Sequence, residues 1–440
     1  MRLLCILQQT IVPNMKILLV SIGTRGDMEP FLAVGELLKK KGHTITCAFP
    51  EQFRSLAEES GHGFHSLGPE FMAMLDSDAG KKALGGSGSA FQKMLAYTRL
   101  AHTYRSVSRK LVERQQEAVE REQPDRIVHH SKALYPLIWS LTHPGQTILL
   151  SPVPYVVHAI REHSHVIFNR NLGPALNLAT YSLARWGLVK AVVKAARQLG
   201  VKPAVKPGQI REALEKNPAV YTISPSLFPR PAYWPPQYRV LGYHERDKTV
   251  AWKPDAALQE FIDRHPKFLL VTFGSMSNPD PEGKTAIIVN ILTSLGIPAI
   301  INTAGGGLKE PDGYDQKLLH FVAGIPYDWI FPKTYAVVHH GGSGTMHMAL
   351  KYGCASLIIP HIIDQYLWNS IGYKKGVGPK GPAITALREH SLSSLVRDLW
   401  QNPAYKDQAR KLAAQMAKED FREELTEAVI HPVSATSQGA

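Results

Sequence analysis

The stretch from Ala336 to Gln365 constrains the fold more than any other part of this chain. Its sequence is AVVHHGGSGTMHMALKYGCASLIIPHIIDQ, in which the apolar runs 336–338 and 356–359 are typical of buried parallel strands. Between them, Gly341, Gly342 and Gly344 allow the backbone to approach a ligand closely. The pattern therefore predicts a strand, a glycine turn, a helix and a second strand in an α/β sheet.

The same stretch predicts a site for a phosphorylated ligand. Ser343 or Thr345 can cap the helix after the glycines, and a helix N-terminus with unpaired amides binds phosphate. His340 can add a hydrogen bond or a positive charge. Asp364 and Gln365 follow the next strand and suit sugar hydroxyls. A phosphate binder beside a hydroxyl binder predicts a nucleotide-sugar pocket, although a glycine turn alone is weak evidence for any ligand.

These residues resemble the donor-binding signature of family 1 glycosyltransferases. The antibiotic and sterol enzymes of that family carry a His-Gly-Gly-x-Gly-Thr motif, and the plant enzymes carry a longer box ending in Asp-Gln. Alignment on the first glycine pair selects His340 over His339. The interval of 24 residues from His340 to Asp364 is the spacing of the plant box.

The N-terminal half supports the resemblance independently. The apolar run 15–22 is followed by Gly23, Thr24, Arg25, Gly26 and Asp27, and then by a helix that we expect to begin near Pro30. This loop lacks the G-x-G-x-x-G pattern of a dinucleotide-binding enzyme. It is similar to the Gly-Ser-Arg-Gly-Asp loop of the sterol and macrolide branch, with Thr24 in place of serine.

The resemblance implies the GT-B fold, in which two Rossmann-like α/β domains face each other across a cleft. We predict an acceptor-binding domain at 15–225, a proline-rich linker at 226–245, a nucleotide-sugar-binding domain at 246–415, and a C-terminal helix or tail at 416–440. The length of 440 residues suits two such domains. Residues 1–14 are interpreted as an extension or as the product of an upstream start codon.

The implied reaction is inverting transfer of a hexose, with glucose favoured, from a UDP-sugar to a hydroxyl of a lipophilic acceptor such as a sterol. Asp27 matches the family's proposed base, with His130 or His158 as fallbacks, and its alternative role is to cap the helix. The donor would be bound by Gly23, Thr24, Arg25, Gly26, Ser275, Ile325, His340, Gly342, Ser343, Gly344, Thr345, Asp364 and Gln365. The tryptophan on which plant enzymes stack uracil is missing from 323–326, so UDP and dTDP both stay possible.

We expect no cofactor and no metal, because no Asp-x-Asp motif follows a strand and helix-terminal amides can neutralise the diphosphate. A nucleotide-sugar epimerase of the same fold is the main alternative. A catalytically silent nucleotide-sugar-binding protein is a weaker one, since it would be suspected only without Asp27.

The net charge of +13 raises the question of nucleic acid, but no nucleic-acid-binding module accompanies it. Basic residues recur on two predicted helices, at 105–114 and at 185–197, where a solvated helix face is the default interpretation and weak attraction to anionic lipid headgroups is the alternative. Three widely spaced cysteines indicate a reducing compartment. We therefore predict a cytoplasmic protein with a possible peripheral contact at the inner face of the membrane, and no nucleic-acid partner.

Overall fold

The computed structural model describes residues 14–77, 90–168, 170–247, 252–274, 276, 278 and 280–433, without the side chains of residues 76 and 90–105. The predicted extension at 1–14 lies largely outside this part, and the predicted site residue Ser275 lies wholly outside it.

Two parallel sheets organise the described chain. The first contains the strands β1 (Lys16–Val20), β2 (Thr44–Phe49), β3 (Gly63–Ser66), β4 (Arg126–His129), β5 (Thr147–Ser151), β6 (Ala219–Tyr221) and β7 (Tyr238–Val240). The second contains β8 (Leu269–Thr272), β9 (Ala299–Asn302), β10 (Leu319–Val322), β11 (Ala336–His339) and β12 (Ala355–Ile358). Their apolar residues are buried on both faces, as expected of strands covered by helices.

Fifteen α-helices lie within the described residues. They are α1 (Arg25–Lys40), α2 (Arg54–Glu59), α3 (Glu70–Asp76), α4 (Ala90–Glu122), α5 (Tyr135–Trp139), α6 (Pro174–Gln198), α7 (Pro207–Lys216), α8 (Ala256–Arg264), α9 (Pro281–Leu295), α10 (Tyr327–Ile330), α11 (Ser343–Lys351), α12 (Ile363–Lys374), α13 (Glu389–Gln401), α14 (Pro403–Met416) and α15 (Arg422–Ile430). Short 3₁₀ turns occupy Glu51–Phe53, Ala304–Gly306, Phe331–Lys333 and Ile384–Ala386.

The strand order reverses at an equivalent place in each sheet. The first sheet has the order β3-β2-β1-β4-β5-β6-β7 and the second has β10-β9-β8-β11-β12. In the first sheet, the strands that follow β1 and β4 in the chain are added on opposite sides of this pair. In the second sheet, the strands that follow β8 and β11 are added on opposite sides of that pair in the same way. Ligands of open α/β sheets bind in the crevice at the carboxyl ends of such strands. The predicted fold of two Rossmann-like domains is confirmed.

Two segments near the predicted domain boundaries belong to the first domain. The range 226–245, predicted as a linker, contributes β7, which pairs in parallel with β6. Prolines before Tyr238 do not interrupt this edge strand, because they lie outside its hydrogen-bonded register. Helix α15, in the predicted tail, buries Leu425, Val429 and Ile430 in the core formed with α1 and β1. The chain thus crosses back to its first domain at the end.

Helix α1 begins earlier than its sequence indicates. It starts at Arg25, and Pro30 lies buried inside it. Pro30 has no amide to donate to the carbonyl of Gly26, so the helix lacks that hydrogen bond. Asp27 consequently lies in the first turn of the helix and not in a loop before it.

Candidate active site

The two reversal points place the predicted catalytic and donor-binding residues at the carboxyl edges of the sheets. Asp27 follows β1, and His130 and Lys132 follow the neighbouring β4. Gly274 and His340 follow the paired strands β8 and β11 in the same way. The domains meet here, since the Ser343 hydroxyl donates to the carbonyl of Pro152 at 2.8 Å.

Three groups surround the Asp27 carboxylate. Lys132 Nζ lies 3.0 Å from Oδ1, and His130 Nε2 lies 3.4 Å from the same oxygen. The backbone amide of Thr24 donates to Oδ2 at 2.7 Å. Asp27 therefore caps α1 and faces two nitrogen side chains at once, so that the structural and the chemical roles coexist in one residue.

These contacts keep Asp27 ionised. Burial alone would raise the pKa of Asp27, but the charge on Lys132, the nearby His130 and hydrogen bonds from Lys132 and Thr24 outweigh it, and the pKa lies below its ordinary value of 3.8. A carboxylate with such a pKa is unprotonated at neutral pH and able to accept a proton. It is also a weaker base than a carboxylate without Lys132.

Gly23 is required by this arrangement. Its φ is +144°, and a Cβ at this position would lie 2.0 Å from Asp27 Oδ2 and 2.9 Å from Lys132 Nζ. Any side chain would displace the carboxylate from its partners. The role of Gly23 in this structure is to make room for Asp27.

Arg25 and Gly26 complete the first turn of α1. Arg25 Nε lies 2.9 Å from Glu29 Oε1. Tyr327, across the cleft, is half-buried. Burial raises the pKa of its hydroxyl above the ordinary value of 10.0, while hydrogen bonds with Thr272 and Thr345 and the positive charge of Arg25 act in the opposite direction. Arg25 therefore lies where the two domains meet.

The two fallback histidines occupy different environments. Burial lowers the pKa of His130 to about 3, with the charge on Lys132 acting in the same direction, so His130 is neutral beside Asp27. The Nδ1 atom of His130 accepts the amide of Lys132 at 3.3 Å. His158 instead bonds to Tyr221 at 2.8 Å and stacks on Tyr238 with ring centroids 3.6 Å apart. Of the two, only His130 contacts Asp27.

Lys132 was missed by the sequence analysis. It lies three residues after the end of β4, on the strand beside β1. A predicted pairing of β4 with β1 could have identified it, because a lysine at the carboxyl end of β4 lies next to the end of β1, where Asp27 follows.

On the donor side, His340 is enclosed by glycines. A Cβ on Gly274 would lie 2.8 Å from the His340 ring, and a Cβ on Gly342 would lie 2.5 Å from its Nε2 atom. The ring is buried and its Nδ1 atom has no hydrogen-bond partner among the described residues. Burial, with His339 and His361 nearby, holds the pKa of His340 well below its ordinary value. Of the two contributions predicted for His340, the neutral ring can supply the hydrogen bond.

Helix α11 begins at Ser343 with Gly342 as its N-cap residue, and no side chain caps it. The predicted capping by Ser343 or Thr345 does not occur, because Ser343 bonds to Pro152 and Thr345 is buried beside Tyr327. Gly344 is close enough to Tyr243 that a Cβ would lie 3.8 Å from its hydroxyl. The first amides of α11 are consequently left for a ligand.

Asp364 and Gln365 lie in the first turn of α12. Gln365 Oε1 accepts the amides of His361 at 2.7 Å and Ile362 at 3.1 Å, so its oxygen caps the helix and only its amide nitrogen remains for a sugar. Asp364 is half-buried. Burial raises the pKa of Asp364 to about 6, and the negative charge of Asp27 adds to this while Lys132 opposes it. The two carboxylates, from different domains, therefore share one electrostatic environment.

Ile325, which was predicted to contact the nucleoside of the donor, is buried. It lies in the core beneath α10, and beside it the half-buried Trp329 packs edge-on against Trp252. A nucleoside can therefore meet the backbone of Ile325 but not its side chain.

A small apolar cavity of about 20 Å³ lies in the first domain. Its walls are formed by Ser131, Leu137, Leu149, Val157, Leu188 and Leu214, with His129, His158 and Asn217 as the larger polar residues. The Nε2 atom of His129 and the Nδ2 atom of Asn217 are buried without hydrogen-bond partners in the described part of the chain. The cavity thus combines an apolar lining with two unsatisfied polar atoms.

Comparison with known proteins agrees with this architecture. The family model described as "Glycosyltransferase family 28 N-terminal domain" matches residues 17–121, and that described as "Erythromycin biosynthesis protein CIII-like, C-terminal domain" matches residues 317–431. The solved glycosyltransferase SnogD from Streptomyces nogalater has a TM-score of 0.64 at 18% identity, covering 96% of this chain and all of that one. The chain is therefore a member of the glycosyltransferases of the GT-B fold.

Within that class, the chain is similar to the sterol and macrolide enzymes, which is consistent with the predicted family 1. It is 28% identical to sterol 3-beta-glucosyltransferase UGT80B1 of Arabidopsis thaliana, over 93% of this chain and 66% of that protein. It is 26% identical to O-mycaminosyltylonolide 6-deoxyallosyltransferase of Streptomyces fradiae, over 92% of this chain and 94% of the relative. The chain spans just under two thirds of the plant relatives and about a third of the Saccharomyces cerevisiae one.

Proposed function

We propose that this protein is an inverting glycosyltransferase that moves a hexose, glucose in the first instance, from a UDP-sugar to a hydroxyl group of a lipophilic acceptor such as a sterol. The observation that carries the proposal is the pair of turns at the carboxyl edges of the two sheets, with Asp27 after β1 and the uncapped start of α11 after β11. This arrangement would supply a proton acceptor from one domain and an anion site from the other. The named relatives support the transfer of a sugar, and the sterol relatives support glucose and an apolar acceptor.

In the proposed reaction, Asp27 accepts the proton of the acceptor hydroxyl. At the same time, the oxygen of that hydroxyl forms a bond to the anomeric carbon of the sugar. The bond from that carbon to the diphosphate oxygen breaks, and the electron pair leaves with the diphosphate. The negative charge developing there meets the unpaired amides at the start of α11 and the hydrogen bond of neutral His340. Lys132 and His130 hold Asp27 in place.

The acceptor would be bound by the first domain. The small cavity lined by His129 has room for about one water molecule, so a lipophilic acceptor would bind beside Asp27 and not inside this cavity. An acceptor of this kind is drawn from membranes, so a weak peripheral membrane contact is part of the proposal.

The test is to incubate the protein with UDP-glucose and a mixed sterol and lipid extract, and to search the products for added hexose by mass spectrometry. Parallel reactions with dTDP-glucose decide between the two nucleotides, and the Asp27→Asn variant is the matched control. An adduct that forms with wild type and not with the variant supports the proposal. Hydrolysis or epimerisation of the donor without an adduct would favour the epimerase alternative instead.

A further inference from the structure

Helix α6 and the segment before it carry an unusual concentration of exposed apolar side chains. Among the described residues, eleven large hydrophobic side chains are exposed, and seven of them fall between positions 167 and 186. They are Ile167, Phe168, Leu172, Leu176, Leu178, Leu183 and Trp186. Isolated exposed hydrophobic residues need no explanation, but a cluster of this size marks an interaction surface.

The exposed residues of α6 form one stripe. Leu176, Leu183 and Trp186 are 61%, 58% and 58% exposed and recur at intervals of seven and three residues, which places them on one side of the helix. The opposite side is already occupied, because Tyr181 and Val192, among others, are buried against the domain. The apolar stripe is therefore in excess of what the fold requires.

Positive charge continues the same stripe towards the end of the helix. Lys190, Lys194 and Arg197 are exposed and follow Trp186 at helical spacing. Lys190 Nζ lies 3.6 Å from the centre of the Trp186 ring. From residue 163 to residue 206 the sequence contains seven lysines and arginines and no aspartate or glutamate. A surface of this kind complements a negatively charged partner.

The other basic helix does not share this property. On α4, Arg109 is paired with Glu113 at 2.8 Å, and Arg114 contacts Glu70. On α6, Arg185 is paired with Glu215 at 2.7 Å, but the structure records no ion pair for Lys190, Lys194 or Arg197 within the described residues. The charge predicted for two helices is therefore available on one.

The stripe also lies beside the cleft. Val166 is the last buried residue before the stripe begins. It packs in the same apolar cluster as Leu367 and Trp368 of the second domain. The charge of Lys374, on α12, acts on His163 in this chain segment. The apolar residues that begin at Ile167 thus emerge next to the place where the domains meet.

We propose that the apolar and basic stripe of α6, together with Ile167, Phe168 and Leu172, docks the protein on the surface of an anionic lipid bilayer. Leu176, Leu183, Trp186 and the preceding loop enter the headgroup region, and Lys190, Lys194 and Arg197 contact the lipid phosphates and carboxylates. Apolar insertion combined with cationic attraction is the mode of amphipathic helices that lie on a membrane without crossing it. The proposal gives a location to the membrane contact included in the proposed function, and the docking itself does not depend on sugar transfer.

The experiment measures binding of the whole protein to vesicles of phosphatidylcholine with and without phosphatidylserine, by co-flotation, in the absence of donor and acceptor. We expect binding to the anionic vesicles, weakened by high salt. Lys190→Gln/Lys194→Gln should reduce the partition coefficient roughly 25-fold, at about fivefold for each lysine. Lys411→Gln/Lys418→Gln, which makes the same change of charge on exposed residues of the second domain, should leave it unchanged.

The apolar half of the stripe is tested separately. Trp186→Ser is expected to reduce binding about tenfold. Tyr373→Ser, at a position 56% exposed on α12, is its control. Calorimetric titration with UDP verifies that each variant is folded. Binding by Asp27→Asn equal to that of wild type would separate docking from catalysis, so a failed transfer assay leaves this result standing.

Two outcomes would overturn the proposal. One is binding that is absent, or that is equally affected by the stripe variants and by their controls. The other is a wild-type dimer that Trp186→Ser converts to a monomer without any change in lipid binding, which would assign the stripe to contact between copies of this chain.

Discussion

The two glycine turns occupy equivalent positions in the two sheets but have opposite electrostatic characters. The turn after β1 leads to Asp27, which is ionised and contacted by Lys132. The turn after β11 leads from neutral His340 to a helix start without a side-chain cap. One turn presents negative charge, and the other presents hydrogen-bond donors. The same strand-turn-helix unit can therefore provide a base on one side of a cleft and an anion site on the other.

The largest effect is expected at Asp27. Asp27→Asn should reduce transfer about a hundredfold to ten-thousandfold, because the amide keeps the shape and much of the capping ability but cannot accept a proton. UDP affinity by calorimetry should stay within a few fold, since we expect the donor to be bound mainly by the other turn. Transfer near the wild-type rate would mean that the base lies elsewhere, and His130 would be tested next. A much lower melting temperature would assign Asp27 to capping alone.

The donor turn should respond in the opposite way. His340→Ala is expected to weaken UDP binding about 10- to 100-fold, because a hydrogen bond to a charged phosphate contributes about 1.5–3 kcal/mol. Thr345→Ala should weaken it less, because the Thr345 hydroxyl is buried beside Tyr327. His390→Ala, on the exposed side of α13, is the control. Unchanged UDP affinity in both variants would remove the donor-site assignment from this turn.

A third prediction concerns the cation that distinguishes the two turns. Lys132→Ala removes the charge and the hydrogen bond that lower the pKa of Asp27, so burial should dominate and the acidic limb of the kcat/KM profile should move to higher pH. Lys132→Arg should leave the limb near its wild-type position. If the acidic limb of the kcat/KM profile does not move in Lys132→Ala, Asp27 is not the group whose titration produces that limb.

Much of this site was predictable because its parts are local. Apolar runs of strand length, glycines at their carboxyl ends and helical spacing beyond them predicted both sheets and both turns from short windows of sequence. The positions of Asp27 and His340 follow from those windows, since each lies within a few residues of a strand end.

What sequence reasoning missed depends on contacts between distant segments. Lys132 reaches Asp27 only because β4 pairs with β1, and 105 positions separate the two residues. Gln365 has a side chain suited to sugar hydroxyls, yet its oxygen caps α12, a use that periodicity does not show. The return of α15 to the first domain likewise depends on apolar residues finding a core built some 400 positions earlier.

A smaller effect is expected from substitution of Asp364, and it is measured as a change in thermal stability. Folding raises the pKa of Asp364 from 3.8 to about 6. Between these two pH values the folded protein therefore holds more of this proton than the unfolded chain does. The free energy of unfolding consequently falls as the pH rises through that window. Asp364→Asn should therefore raise the melting temperature by a few degrees above pH 6, and the gain should shrink towards pH 3.8. The lost charge at the start of α12 works against the gain and limits its size.

The control for this prediction is Asp312→Asn, at an exposed position in the second domain, which should not change the melting temperature with this pH dependence. If Asp364→Asn were instead destabilising at every pH, the carboxylate would be contributing a favourable contact at the helix start, and the coupling to Asp27 would be too weak to matter.

The smallest effect is expected from a chelator, and it tests the donor turn most directly. If the amides of α11 and the neutral His340 neutralise the leaving diphosphate, turnover with saturating UDP-glucose should be the same with and without EDTA. Within the described residues, no group of three or more histidine, cysteine or acidic side chains is arranged to hold a metal ion. A metal bound by the diphosphate itself would have few protein ligands, so the measurement must be made on the reaction and not on the protein alone. Turnover that is lost with EDTA and restored by magnesium or manganese would assign the diphosphate charge to a cation. The two turns would then differ less than their electrostatics indicate, because the donor side would also depend on a positive ion, as Asp27 depends on Lys132.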